Sequence, residues 1–460
     1  MGKTASDVGW RVSRYNLFAP IPGTKNVAIA NLFKGTCGAY SALDLFLLSE
    51  LETLDEEHPI LNRFRERGLI VNFNERAALN AMGRMGCASG GVGLTICPTM
   101  GCNFDCPYCF ENHKAGKMTQ KTQDDVVALA ERMLDVSQKK AMSVTWFGGE
   151  PLLASDVIEA LSERLMALCE EKGAEYSAGI ITNGYLLTQE NADLLARYKV
   201  KSAQITLDGV GEAHDKTRHL AGGGATFTRI TDNLRQGKLD FQVSVRHNVH
   251  TENIGEIEAL KAFVETLAAE SGNEIIYYPA IVNGNDASDE RGRGVGLLCT
   301  SDASEISVRC DAKQFSPGHG HYCLAHRLMS LGIDEKGNLQ KCWEAVDKAE
   351  HSFGTAERWD PANPIATADR PDNLTCYLNT ALPNFDEECA DCVWLPACAG
   401  GCPNKRLYYQ KQCLPFKDAP EKYVLALYDR IGEEKLITNN KIEKKDHYGR
   451  KDEGSTERDL

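Results

Sequence analysis

The chain has 460 residues, 51 Lys plus Arg against 65 Asp plus Glu, and a formal charge of −14. That balance excludes a protein built mainly to grip nucleic-acid backbone, which needs a basic excess, and the length allows a core spread over several domains. Its 17 cysteines are too few for a disulfide-dense scaffold and too many for an ordinary cytosolic enzyme. No charged segment followed by an apolar run opens the chain, and no uninterrupted apolar stretch approaches about 18 residues. A cytoplasmic protein is therefore expected, with no membrane and no nucleic-acid partner. In a reducing compartment, thiols clustered at short spacing read as metal ligands.

In chain order, extended pieces at 14–18 and 27–33 precede helical patterns at 43–54 and 59–67 and a short strand at 69–73, a small α+β module spanning 1–91. From 92 to 300 the pattern alternates. Strands rich in Val, Ile, Thr and Tyr are expected at 93–99, 142–147, 176–182, 201–207, 241–249 and 274–281. Helices are expected at 123–136, 155–169, 189–197, 226–235 and 254–269. In the second of these, Val157, Leu161, Leu165 and Leu168 make one apolar stripe. Each strand followed by a crossover helix implies a parallel sheet. Periodicity alone allows either an open doubly wound sheet or a partial barrel. Residues 301–430 form a cysteine-rich region, and 431–460 read as a disordered tail of mixed charge.

The sharpest motif follows the first strand of the alternating region: Cys102, Cys106 and Cys109, spaced C-x-x-x-C-x-x-C, with Tyr108 before the last cysteine. Three thiolates this close can hold three irons of a four-iron cluster and leave the fourth without a protein ligand. An open position is what a catalytic metal centre requires. A zinc site fits poorly, because no fourth ligand lies nearby. Further on, Gly148-Gly149-Glu150-Pro151 ends the second strand, Thr182-Asn183-Gly184 the third, and Gln204-Ile205-Thr206-Leu207-Asp208-Gly209 the fourth, while Arg246 lies on the fifth.

In these motifs, in this order, the chain resembles the radical S-adenosylmethionine enzymes. The resemblance implies a partial (β/α)6 TIM-like barrel. It also implies that Cys102, Cys106 and Cys109 hold a catalytic [4Fe-4S] cluster, with S-adenosyl-L-methionine bound by Tyr108, Gly148, Gly149, Glu150, Pro151, Asn183, Gln204, Thr206, Asp208 and Arg246. Glycines at 148 and 149 suit a close backbone approach. The cofactor is then cleaved to a 5′-deoxyadenosyl radical that abstracts hydrogen from substrate. The neighbouring His214, Asp215 and Arg218 read as structural.

The C-terminal cysteines run Cys323, Cys342, Cys389, Cys392, Cys398, Cys402 and Cys413. Their order and spacing resemble the SPASM extension, which implies two further clusters and three [4Fe-4S] clusters in all. By that resemblance Cys389, Cys392, Cys398 and Cys413 hold the distal cluster, and Cys323, Cys342 and Cys402 the inner one. The inner cluster lacks an evident fourth ligand. Cys310 and Cys376 are candidates, with a slight preference for a further cysteine over an open iron. Cys37, Cys87, Cys97, Cys169 and Cys299 read as buried thiols.

Two functional readings follow from the resemblance. The first is a maturase that forms a thioether or carbon–carbon cross-link in a ribosomal precursor peptide. There the 1–91 module, winged-helix-like in layout, would receive the leader segment as an added strand, and a flavodoxin or ferredoxin would supply electrons. The second is an anaerobic sulfatase-maturing, formylglycine-forming enzyme, for which Asp311 is a candidate base.

Overall fold

The computed structural model describes residues 9–282 apart from 89 and 114, then 293–298, 302–303, 306, and 323–430 apart from 383, 384 and 410. Cys299, Cys310 and Asp311 lie outside the described residues. The described chain divides into two compact units, one of residues 9–75 with 416–430, the other of the remainder. No helix among the described residues is long and apolar enough to cross a membrane.

In the smaller unit, β1 (Arg11–Val12) is followed by β2 (Asn16–Pro20), β3 (Val27–Asn31) and β4 (Thr36–Tyr40), and the last three form an antiparallel meander. Helix α1 (Ala42–Ser49) starts in a capping box, Ser41 and Asp44 each satisfying a backbone N–H of the other. Helix α2 (Pro59–Glu66) follows, and β5 (Ile70–Val71) pairs with β1. The expected strands and helices occur, with three differences, the first being the unexpected β1. A strand forms at β4, and the helix expected over 43–54 ends at Ser49, continuing as a separate single turn. Asn31 ties the unit together: its side-chain amide donates to Ser13 Oγ, Asn16 Oδ1 and the Gly68 carbonyl at 3.0, 2.8 and 2.8 Å.

Helix α3 (Glu75–Ala88), which the sequence pattern does not suggest, lies in the larger unit from Arg76 onward. Then β6 (Val92–Ile96), α4 (Gln120–Val136), β7 (Ala141–Trp146), α5 (Ser155–Glu171), β8 (Glu175–Thr182), α6 (Gln189–Arg197) and β9 (Val200–Thr206) alternate. The short α7 (Glu212–Asp215), then α8 (Phe227–Gln236), β10 (Gln242–Val249), α9 (Ile257–Ser271) and β11 (Ile275–Ile281) complete the series. Strands β6 to β11 are all parallel and lie side by side in sequence order. A doubly wound sheet reverses its strand order at a switch point. This one never reverses, so it is wound like a barrel, with six parallel strands.

The core follows from the periodicities. Val157, Leu161, Leu165 and Leu168 on α5 are buried as the stripe predicts, and β10 alternates buried and half-buried residues along its length. Each large apolar side chain so buried contributes about 1.5–3 kcal/mol. Beyond β6 the sheet is extended by β12 (Ser330–Ile333), parallel to β6, and by the antiparallel β13 (Asn338–Gln340) and β14 (Gly354–Thr355). Short helices at Glu387–Ala390, Leu395–Cys398 and Pro403–Tyr408 carry or adjoin the later cysteines.

Candidate active site

Parallel β/α barrels build their sites in the loops that leave the C-terminal strand ends. The loop after β6 carries Cys102, Cys106 and Cys109, and its course is fixed by backbone pairing with the segment after β9. Asp105 N–H donates to the His219 carbonyl (3.0 Å), and Ala221 N–H to the Asn103 carbonyl (2.8 Å). All three cysteines line one cleft. Phe104 N–H donates to Cys102 Sγ at 3.4 Å, and Glu111 N–H donates to the Cys109 sulfur. Burial raises the pKa of each thiol, opposed at Cys106 by the Arg218 guanidinium. Buried thiols that share a cleft and receive backbone N–H bonds stay neutral until a cation compensates their charge. Iron supplies that charge, so this donor set fits an iron–sulfur cluster.

The loop after β7 packs under the cysteine loop. A Cβ on Gly149 would stand 2.4 Å from the Gly101 carbonyl oxygen, and one on Gly148 (φ +109°) 2.3 Å from that of Thr99. These glycines therefore admit the neighbouring backbone while also lining the cleft. Glu150 is fully buried, and it caps the helical turn Pro151–Ala154 and the end of β8 together. Its carboxylate accepts from Leu152 N–H (3.0 Å), Thr182 Oγ1 (2.7 Å) and Asn183 N–H (2.7 Å). Asn183, thus placed, donates to Asn103 Oδ1 at 2.7 Å.

The ends of β9 and β10 hold Tyr108. Its hydroxyl donates to Asp208 Oδ2 and accepts from Arg218 Nη1 (3.0 Å) and Asn248 Nδ2 (3.3 Å). Thr217 Oγ1 donates to the same Asp208 oxygen at 3.0 Å. His214 is buried and kept neutral, its pKa pushed well down first by burial and then by Arg218. Its Nδ1 accepts from Asp208 N–H at 3.2 Å, which leaves Nε2–H to face Thr226 Oγ1 at 3.1 Å. Arg246 Nε donates to Asn248 Oδ1 (2.7 Å), and Tyr278 donates to Gln204 Oε1 (2.5 Å).

Of the residues expected to contact the cofactor, Tyr108, Gly148, Gly149, Asn183, Gln204 and Arg246 line the cleft. Glu150, Pro151, Thr206 and Asp208 stand behind it. The sequence reading missed Arg218 as a cleft residue, and also Asn248, Glu111, Trp343 and Glu344. Glu111 is buried, its Oε1 without a hydrogen-bond partner among the described residues, and burial lifts its pKa to about 8, with Asp347 and Glu150 adding to the shift. Phe110, Phe147, Ile181, Val282 and Trp343 supply an apolar wall. Among the C-terminal cysteines, Cys389, Cys392 and Cys413 act electrostatically on Cys398, whereas Cys323 and Cys402 act on Cys342.

Residues 96–264 match the radical SAM superfamily model. The chain is 23% identical to the Fe-coproporphyrin III synthase of Methanosarcina barkeri over 66% of its own length and 80% of that protein. It is 28% identical to a cysteine-type anaerobic sulfatase-maturating enzyme of Clostridium perfringens, over 33% of this chain and 43% of the other. The solved structure of native anSMEcpe with bound AdoMet and Kp18Cys peptide superposes with a TM-score of 0.57 at 18% identity, covering 76% of this chain and all of that one. That likeness establishes the fold. Residues 96–264 thus carry a radical SAM domain, and that superfamily implies a [4Fe-4S] cluster and S-adenosylmethionine. Within that class it resembles the peptide-modifying maturases.

Proposed function

We propose that the protein is a radical SAM peptide maturase that abstracts hydrogen from a ribosomal precursor peptide and closes an intramolecular thioether or carbon–carbon cross-link. The observation that carries this is the cleft itself. Cys102, Cys106 and Cys109 share it with the polar side chains of Arg246, Asn183 and Gln204 and with the apolar ones of Phe110, Phe147 and Trp343. In this reading the three cysteines hold the catalytic cluster, and Arg246 pairs with the cofactor carboxylate, for which a guanidinium fork is well suited. Glu150 and Asp208 position the loops that hold it. When bound, cluster and cofactor supply the 5′-deoxyadenosyl radical. The apolar wall excludes water from it. The seven C-terminal cysteines hold two auxiliary clusters, residues 9–75 receive the leader segment, and a flavodoxin or ferredoxin supplies electrons.

Reconstituted, reduced protein given S-adenosylmethionine should release 5′-deoxyadenosine, and Cys106→Ala should abolish the release. Release that survives the substitution would defeat the assignment. About twelve irons per chain are expected from three four-iron clusters, and about four would remove the auxiliary ones. A formylglycine-forming activity is the second reading, favoured by the likeness to the sulfatase-maturating enzyme. A peptide substrate that gains an aldehyde instead of a cross-link would establish it.

A further inference from the structure

The loops carrying Cys342 and Cys402 meet through residues two places beyond each cysteine. Asn404 Nδ2 donates to Glu344 Oε2 at 3.2 Å, and Asn404 is itself oriented by the Tyr377 hydroxyl, which donates to its Oδ1 at 2.7 Å. The backbone N–H of Glu344 donates to the Cys342 sulfur. The Glu344 carboxylate acts electrostatically on Cys323, Cys342 and Cys402 alike. It is also a wall of the catalytic cleft.

We infer that Glu344 is the fourth protein ligand of the inner auxiliary cluster, completing with one carboxylate oxygen the set begun by Cys323, Cys342 and Cys402. The inference rests on reading those cysteines as cluster ligands. Asn404 holds Oε2 and so fixes the carboxylate, leaving Oε1 for iron. A carboxylate oxygen is a harder donor than a thiolate, and sulfur displaces it from iron more readily than it displaces a fourth cysteine. A substrate thiol entering the cleft would therefore meet an exchangeable position.

The test isolates the auxiliary clusters by changing Cys102, Cys106 and Cys109 to alanine. After reconstitution with iron and sulfide this protein should hold about eight irons. Adding Glu344→Gln should make one iron of the inner cluster labile, so that mild oxidation lowers the count to about seven and produces the electron paramagnetic resonance signal of a three-iron cluster. Glu344→Cys should restore the full count with altered g values, and it decides the matter if the glutamine variant does not fold. Unchanged iron and spectra in Glu344→Gln or Glu344→Cys would overturn the inference alone. The same loss from Cys310→Ala or Cys376→Ala, with Glu344→Gln intact, would overturn it too. A background protein without iron would overturn the auxiliary-cluster reading and this inference with it.

Discussion

Arg218 donates a 3.0 Å hydrogen bond to the hydroxyl of Tyr108, the residue that precedes the last cysteine of the C-x-x-x-C-x-x-C motif. The two lie 110 positions apart in sequence, and the bond fastens the cysteine loop to the segment after β9. Tyr108 is in turn a donor to Asp208, so a buried cation, a phenol and a buried carboxylate form one chain. The Arg218 guanidinium also stacks over Phe104 within the cysteine loop, 5.7 Å from the ring centre.

Tyr108→Phe keeps the ring and deletes the hydroxyl, leaving Asp208 and Arg218 each short of a partner. A loss of about 1–3 kcal/mol is expected, and Arg218→Gln, which removes the donor to the same hydroxyl and a positive charge acting on Asp208, should cost at least as much. Both should incorporate the catalytic cluster poorly. Urea unfolding and iron analysis check this, and a Tyr108→Phe protein indistinguishable from wild type in both would show that the network does not hold the loop.

Gly149→Ala is expected to displace the cysteine loop, since its Cβ would meet the carbonyl oxygens of Gly101 and Met100 at 2.4 and 2.5 Å. Backbone cannot yield as a flexible side chain can. The iron content should fall by about four per chain, while Gly222→Ala, with nothing within 4 Å of its added carbon, should retain full iron.

Acid should destabilise the fold through His247. Burial, opposed by Asp208 and Glu256 and aided by His250, pushes its pKa down to about 4. The unfolded chain, with an ordinary value near 6.5, therefore binds the proton more readily. Stability is full above about pH 6.5 and falls as pH drops toward about 4, by an amount on the order of 2–4 kcal/mol. His326, shifted the same way by burial, adds to the slope. Denaturant midpoints between about pH 7 and pH 5 should show it, and His247→Gln should make the dependence shallower. An unaltered slope would locate the effect elsewhere.

Asn31→Ala removes the amide whose two N–H groups serve Ser13, Asn16 and Gly68, and about 2–3 kcal/mol of local stability with it. Hydrogen exchange should quicken in β3. Release of 5′-deoxyadenosine from S-adenosylmethionine alone should be unaffected, while modification of a leader-bearing peptide should decline. Equal loss of both activities would count against a leader-binding role for this unit.

The barrel was legible because its strands and helices carry their own periodicities: the expected strands fall within a few residues of β6 to β11. The cysteine motif and Gly148-Gly149 were legible because spacing and composition are local signals. Strand β12 was not, because four residues of Ser-Leu-Gly-Ile become a strand only where β6 offers an edge. Nor were Trp343 and Glu344 legible as cleft residues. No pattern in residues 340–346 points to a cleft whose other walls come from earlier in the chain, between Cys102 and Val282. Glu150 and Asp208 show the converse. Their motifs marked the right place, but burial turned both carboxylates toward backbone N–H and hydroxyl donors behind the cleft. Arg218, read as structural, proved to line the cleft as well as to brace it.

The pairing of Ser330–Ile333 with Gly93–Ile96 also bears on how the polypeptide is made. A ribosome delivers β6 more than two hundred residues before the strand that covers its outer side. Through that interval β6 presents an open row of N–H and C=O groups, a template for wrong partners. Truncation before residue 330 should therefore yield aggregates instead of a free-standing barrel, and a holdase binding the nascent chain should raise the yield of the full-length enzyme.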